Sequence, residues 1–387
     1  MKLALLMGNR YNPWHLQAFK RLRNAPEITA FRAESQIQEY FNERGDGTDG
    51  MRRERIYFDT QSGPAWAQRL NVFRERYARR APRILPFHDQ LQGHDVIHSW
   101  ELFTDWSESA AEARERYKIP LAITVWDLLA FNMEREPWRR ALKQRVATCA
   151  DRFVVYSERS GAMLAFEGVT ANRIAYVPPG VDTELFCPGD TSREFGLKED
   201  DFVLLFVGWF APRKGIDFLL FALRKLIDEG GAQAKRIKLL IVGSGAGQDR
   251  VEALIARLGL GEQCVITGAL TYDRMPAVFR MADVFVLPSV ASGEWQEQFG
   301  MSLIEAMATG KPCIASLSGA MEEIAGDAAL LVQPNDFLAL HRALKRLVQN
   351  NDERARLGAE ARARTRRLFD VQAQANALSD LYDSLTL

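Results

Sequence analysis

The chain is short of cysteine, short of histidine and has no excess charge of either sign. Its 387 residues carry four cysteines, five histidines and 50 basic side chains against 50 acidic ones. Cys149, Cys187, Cys264 and Cys313 have no paired spacing and no histidine in a metal pattern. This argues against a disulfide framework or a zinc site and for a reducing, cytoplasmic setting. Zero formal charge removes the bulk electrostatic case for nucleic acid, so any anion site must be local. No apolar run is long enough to span a membrane. The run at residues 3–7 is too short for a signal-peptide core and ends at Asn9 and Arg10.

What is present is globular material: 47% hydrophobic residues with scattered glycine and proline, in a chain long enough for two domains. Short apolar runs alternate with helix-like segments, the pattern of parallel sheets with crossover helices. In the first half the strands are expected at residues 2–7, 28–31, 56–58, 95–98, 121–125, 153–155 and 174–177. Gly8 lies in a turn after the first of these, where backbone amides can meet a phosphate. Residues 42–50 read as a polar loop. Residues 52–83 are rich in arginine, with Arg69, Arg74, Arg76, Arg79 and Arg80 among Leu70, Val72, Phe73 and Tyr77. Such an amphipathic helix suits either an anionic membrane surface, an anionic acceptor, or plain solvent.

The second half opens with an uninterrupted apolar strand at 202–207, followed by Gly208, Trp209, then Arg213-Lys214-Gly215 and a helix expected at 216–228. Cations in a first helical turn oppose the macrodipole, whereas an anion between them satisfies the dipole and the free amides together. The alternative is two solvated surface charges. Strands are expected at 238–242 and 265–268, and a helix at 272–282. A charged helix at 351–367 and a last helix bearing Leu378, Leu381, Tyr382 and Leu385 close the chain.

Residues 288–323 hold the most informative stretch. An apolar strand at 284–287 leads through Pro288-Ser289 and a polar loop to Glu297-Gln298-Phe299-Gly300, then a helix at 301–309, Gly310, Pro312 and another strand. Glu305 sits in that helix among Leu303, Ile304, Ala306 and Met307, where a carboxylate needs a partner or a ligand. Glu297 precedes it by eight residues, at most roughly 12 Å along a helix. The two do not form a dyad on one bond, but they suit the two ends of an elongated ligand.

The segment from Glu297 to Glu305 resembles the E-x7-E signature of the retaining, family 4 glycosyltransferases (glycosyl transferases group 1). Pro178-Pro179-Gly180-Val181-Asp182 is similar to that family's interdomain linker, and residues 318–324 to its G-G-x-P-E-I turn. The resemblance implies the α/β GT-B fold, two Rossmann-like doubly wound domains facing across a cleft. The expected domains are residues 1–181 for the acceptor, 182–368 for the nucleotide-sugar, and 369–387 as a helix returning to the first. By the same resemblance Glu305 binds ribose hydroxyls, Glu297 and the Phe299-Gly300 backbone hold the donor sugar, Gly268 lies near the base, and Gly215 lets the diphosphate approach Arg213 and Lys214. Trp126-Asp127 stands where the family has His-Asp, and Trp209 where it commonly has Arg. Trp126 suits stacking on a sugar ring, and Asp127 is a sugar contact or a helix cap. His98 and Glu101 match a motif facing the cleft, Glu101 as a base, an acceptor contact or a surface residue.

The implied reaction is transfer from a nucleoside diphosphate sugar to an acceptor hydroxyl with retention. The acceptor is expected to be a glycan, a lipid-linked intermediate or a small molecule. No Asp-x-Asp metal pair follows a nucleotide-side strand, so no cofactor or metal is expected and the cations carry the leaving-group charge. The setting is cytoplasmic, with peripheral contact at an anionic membrane surface as one expectation. The competing reading, motivated by Trp126 and Trp209, is a non-catalytic nucleotide-sugar or glycan-binding protein on the same scaffold.

Overall fold

The computed structural model describes residues 1–33, 47–59, 83–190 and 192–386. Their strands form two sheets, parallel at every pairing. The first joins β1 (Lys2–Gly8), β2 (Glu27–Ala33), β3 (Arg52–Ile56), β4 (Val96–Trp100), β5 (Leu121–Val125), β6 (Arg152–Val155) and β7 (Ile174–Tyr176) in the order β3-β2-β1-β4-β5-β6-β7. The second joins β8 (Phe202–Val207), β9 (Ile237–Val242), β10 (Cys264–Gly268), β11 (Val284–Leu287), β12 (Cys313–Ser316) and β13 (Leu330–Val332) in the order β10-β9-β8-β11-β12-β13. Both are doubly wound. The winding reverses between β1 and β4 in one sheet and between β8 and β11 in the other, and the carboxyl ends of strands at such a switch point form a natural ligand crevice.

The central strands are apolar along their length because helices cover both faces. Leu3 to Leu6, Val203 to Phe206 and Val284 to Leu287 are buried. Each fully buried Leu, Val or Phe contributes roughly 1.5–3 kcal/mol. The helix Ile216–Ala234 lays Ile216, Leu219, Leu220, Leu223 and Leu226 against the second sheet at helical spacing.

Several boundaries differ from the sequence expectation. The third strand is Arg52–Ile56, not 56–58. Among the described residues it pairs only with β2, at the sheet's edge, where charged Arg52, Arg53 and Arg55 are tolerated, while Phe58 makes an isolated bridge to Ile84. The helix expected at 272–282 is a 3-10 turn, Tyr272–Arg274, followed by Met275–Met281, with Pro276 in its first turn. The helix from Ile216 runs on to Ala234 through a non-helical Gly231. Arg69, Arg74, Arg76, Arg79 and Arg80, with Leu70, Val72, Phe73 and Tyr77, lie outside the described residues, as does most of the loop at 42–50.

The chain divides into two compact units. One is Met1–Pro179 together with the chain from Gln372 onwards, and the other is Gly180–Val371. Gly180 and Val371, the two ends of the second unit, pack closely, and a Cβ on Gly180 would stand 2.3 Å from the Val371 Cα. Val181 and Asp370 bridge in parallel, the Val181 N–H donating to the Phe369 carbonyl at 2.8 Å.

Candidate active site

In the second unit, β8 ends at Val207 and β11 at Leu287, and the loops that follow them are stitched together. Pro212–Lys214 form a 3-10 turn closed by Gly215 at φ +66°. A Cβ on Gly215 would lie 1.8 Å from the Pro288 carbonyl oxygen, and the Val290 N–H donates to the Arg213 carbonyl at 2.8 Å. Gly215 is therefore demanded already by the chain's own close approach at Pro288, apart from any diphosphate. Arg213 and Lys214 stand in this turn, ahead of the helix that starts at Ile216.

That stitching brings Lys214 to Glu297. The Lys214 Nζ lies 2.8 Å from Glu297 Oε2, and the Ser289 hydroxyl donates to the same oxygen at 2.5 Å. Both charged side chains are largely buried, at 16% and 6% exposure. The Glu297 backbone is tied too, its N–H donating to Ser318 Oγ and its carbonyl accepting from Ala320. Glu297 is thus no solvated loop charge. Arg213 is exposed and, like Lys214, lies over the Trp295 ring, at 4.9 and 5.1 Å from the centroid.

Phe299 is buried edge-on against Phe369. Gly300, at φ +71°, caps the helix Met301–Ala308, and its missing Cβ leaves room for Leu287 and Met321. Within that helix Glu305 is 4% exposed. Its partner is the Tyr272 hydroxyl, which donates at 2.8 Å. Burial pushes the Glu305 carboxyl up to about 8, with the Tyr272 hydrogen bond pulling it back. Gly268, at φ +72°, ends β10 with open space where its Cβ would be.

The carboxyl ends of β1, β4 and β5 in the first unit gather Gly8, Glu101, Trp126 and Asp127. Gly8, at φ +57°, packs under the Trp106 ring, which a Cβ would meet at 2.4 Å. Trp126 is 9% exposed, with its ring 4.5 Å from that of His15. Its backbone N–H donates to Glu101 Oε1 at 2.9 Å. Asp127 caps no helix: its carboxylate accepts from the Leu129 N–H and from Asn132 Nδ2, closing a turn.

His98 belongs elsewhere. It is wholly buried inside β4, Nδ1 with the Tyr382 hydroxyl at 2.5 Å and Nε2 with Thr124 Oγ1 at 2.7 Å. Burial pushes the imidazole down to about 3. With both nitrogens taken and the ring neutral, His98 pins the last helix and is not a cleft-facing acceptor contact. Ser289, Ser318, Tyr272 and Trp295 had no role from sequence. Ser289, directly after an apolar strand at the switch point, is the one whose position signals it.

The glycosyl transferases group 1 family matches residues 190–364 and the Glycosyltransferase Family 4 model residues 41–185. The chain belongs to the family 4 glycosyltransferases. Curated relatives of this GT4 chain include the D-inositol 3-phosphate glycosyltransferases of Acidothermus cellulolyticus, 31% identical over 66% of this chain and 60% of that one, and of Nocardia farcinica, 32% identical over 70% and 63%. The chain thus spans about three fifths of the length of the curated relatives it matches. In fold it is similar to Anabaena HepE in complex with UDP, with a TM-score of 0.76, 19% identity, and 99% and 100% of the two chains covered. Sucrose-phosphate synthase from Thermosynechococcus elongatus has a TM-score of 0.75 at 22% identity over 100% and 99%. The GT-B fold expected from the linker and the E-x7-E stretch is therefore the fold of this GT4 chain. Among the described residues no helix is long and apolar enough to cross a membrane.

Proposed function

We propose that the chain is a retaining glycosyltransferase that moves a sugar from a nucleoside diphosphate sugar to an acceptor hydroxyl without a metal ion. One observation carries the reading: the Lys214–Glu297 pair at the β8/β11 switch point, held by Ser289, with the buried acid of Glu305 farther along the same segment. Without ligand Glu297 neutralises Lys214. A diphosphate draws on Lys214, Arg213 and the amides opening the helix Ile216–Ala234, which stabilise the leaving group as its charge grows. Glu297 and the backbone at Phe299 and Gly300 then hold the sugar, Glu305 takes ribose hydroxyls, and Gly268 lies on the base side. By the family resemblance Trp126 and Asp127 are the candidate sugar or acceptor contacts. Retention rests on the family resemblance.

UDP is the first nucleotide to test, because HepE was solved with UDP and with UDP-glucose. The curated relatives' names make D-inositol 3-phosphate the first acceptor. Free cysteines Cys149, Cys187, Cys264 and Cys313 fit work in the cytoplasm.

The test is calorimetric titration with UDP, GDP and ADP in the presence of a chelator, on the parent protein, Glu305→Ala and Lys214→Ala. It is followed by assays of UDP-sugar hydrolysis and of transfer to D-inositol 3-phosphate. Binding of one nucleotide without metal, weakened at least tenfold in both variants and accompanied by turnover, is the expected result. Binding that ignores both substitutions removes the donor assignment, and binding without any turnover removes the catalytic one.

A further inference from the structure

The first unit holds a buried acid that the donor chemistry leaves unused. Glu101 follows β4 at that sheet's switch point in a left-handed conformation, φ +63°, which a non-glycine residue adopts only when its surroundings enforce it. It is 2% exposed. One carboxyl oxygen accepts the Trp126 N–H, and the other is buried with no hydrogen-bond partner.

Trp126 begins a turn whose every bond looks built for fixed geometry. Asp127 accepts from Leu129 and Asn132, and Asn132 Oδ1 accepts from the Met133 N–H. Lys143, with a side chain 5% exposed, donates to the Asn132 carbonyl at 3.0 Å and pairs with Glu167 at 2.7 Å and Glu134 at 3.1 Å. Glu167 also accepts the Phe131 N–H at 2.7 Å. Held this way, Phe131 and Met133 both keep positive φ, +59° and +63°, and Phe131 stays 58% exposed.

We propose that Glu101 is the positioning residue of the turn at residues 126–133: it holds the Trp126 amide with one oxygen while the other lies buried without a partner, so a charge on it is relieved only by opening to water, and loss of its proton loosens the turn. The groups facing it come from four neighbouring segments. Asp127 follows β5 and opposes a charge on Glu101, while the Trp126 amide, Arg10, after β1, and Lys143, on the helix Pro137–Cys149, favour one, and burial outweighs all three. Lys143 is already paired with two carboxylates and Arg10 is exposed, so neither satisfies an ionised Glu101 at close range. Tyr156, after β6, is pushed up to about 12 by burial, and His15, beside Trp126, down to about 3, so both stay neutral through the physiological range. Burial first, then the Asp127 charge, push Glu101 itself up to about 8.

The link from this turn to turnover rests on the proposed function, but the turn's own behaviour does not. Amide hydrogen exchange of Trp126, Leu129, Phe131 and Met133 is followed without ligand between about pH 6 and about pH 9.5. The parent and Glu101→Gln are compared, with Ile123 in β5 as the control for global opening. In the parent, protection corrected for intrinsic rate should fall at least tenfold between about pH 6 and about pH 8 and level off above that, while Ile123 stays protected. In Glu101→Gln, which keeps the acceptor oxygen and cannot ionise, protection should stay level. Parent protection that does not change with pH, or a Glu101→Gln variant that titrates alike, overturns the proposal. UDP-sugar hydrolysis over the same range separates the two claims. A titrating turn with no hydrolysis counts against the transferase reading alone. Hydrolysis with a non-titrating turn counts against Glu101 alone.

Discussion

Glu305 and Glu101 are both acids raised by desolvation, one in each unit, and their raised values give the same sign of pH dependence. Each folded value, about 8, lies above the ordinary 4.5, so the native state holds protons that the unfolded chain has lost. Stability from these two groups is full below about pH 4.5, falls across the window, and is gone above about pH 8. Nucleotide binding should expose the second half of this linkage at Glu305. If ribose hydroxyls donate to a carboxylate there, binding near pH 7 releases up to about one proton. The calorimetric enthalpy should then vary with the ionisation enthalpy of the buffer in the parent, and should not in Glu305→Gln. Lys214→Ala strands a buried Glu297 and should cost the second unit about 2–4 kcal/mol in denaturant unfolding. Adding Glu297→Gln to it should recover most of that loss. Gly215→Ala combines a positive φ with a carbonyl at 1.8 Å. The expected cost is about 3 kcal/mol or more, with nucleotide affinity lost in the same variant, because the loop that carries Lys214 must move.

At the scale of elements, the last helix shows how little a helix's own pattern says about where it docks. Val371–Thr386 presents Leu378, Leu381 and Tyr382 to the first unit, and the Tyr382 hydroxyl meets His98. Tyr382→Phe leaves a buried imidazole nitrogen without its partner. It should lower the first unit's stability by about 1–3 kcal/mol, measured by denaturant unfolding, without altering UDP binding in the second. From sequence, His98 looked like a site residue because its motif matched, and the motif carries no information about a tyrosine nearly 300 positions later. The apolar strands were legible because burial on both faces leaves an unbroken hydrophobic run. Edge strand β3 was misplaced for the converse reason, since Arg52-Arg53-Glu54-Arg55 carries no apolar run to mark a strand until β2 supplies its hydrogen bonds.

Across the whole molecule, two separate cores predict separate melting. Calorimetric heating should resolve two transitions, and saturating nucleotide should raise only the one belonging to Gly180–Val371. Raising the pH from about 6 to about 9 should lower both, because each unit holds one raised acid. A single transition that moves as one with nucleotide would count against independent units.

The sequence alone determined the α/β class, the doubly wound plan and the stretch from Glu297 to Glu305, because strand hydrophobicity, turn glycines and a carboxylate in an apolar helix are local signals. Only the tertiary structure decided that Lys214 meets Glu297, that Tyr272 answers Glu305, that Gly215 yields to Pro288, and that His98 serves the last helix. Each of these depends on the distance between residues far apart in the chain, and that distance exists only once the sheets have set their strand order.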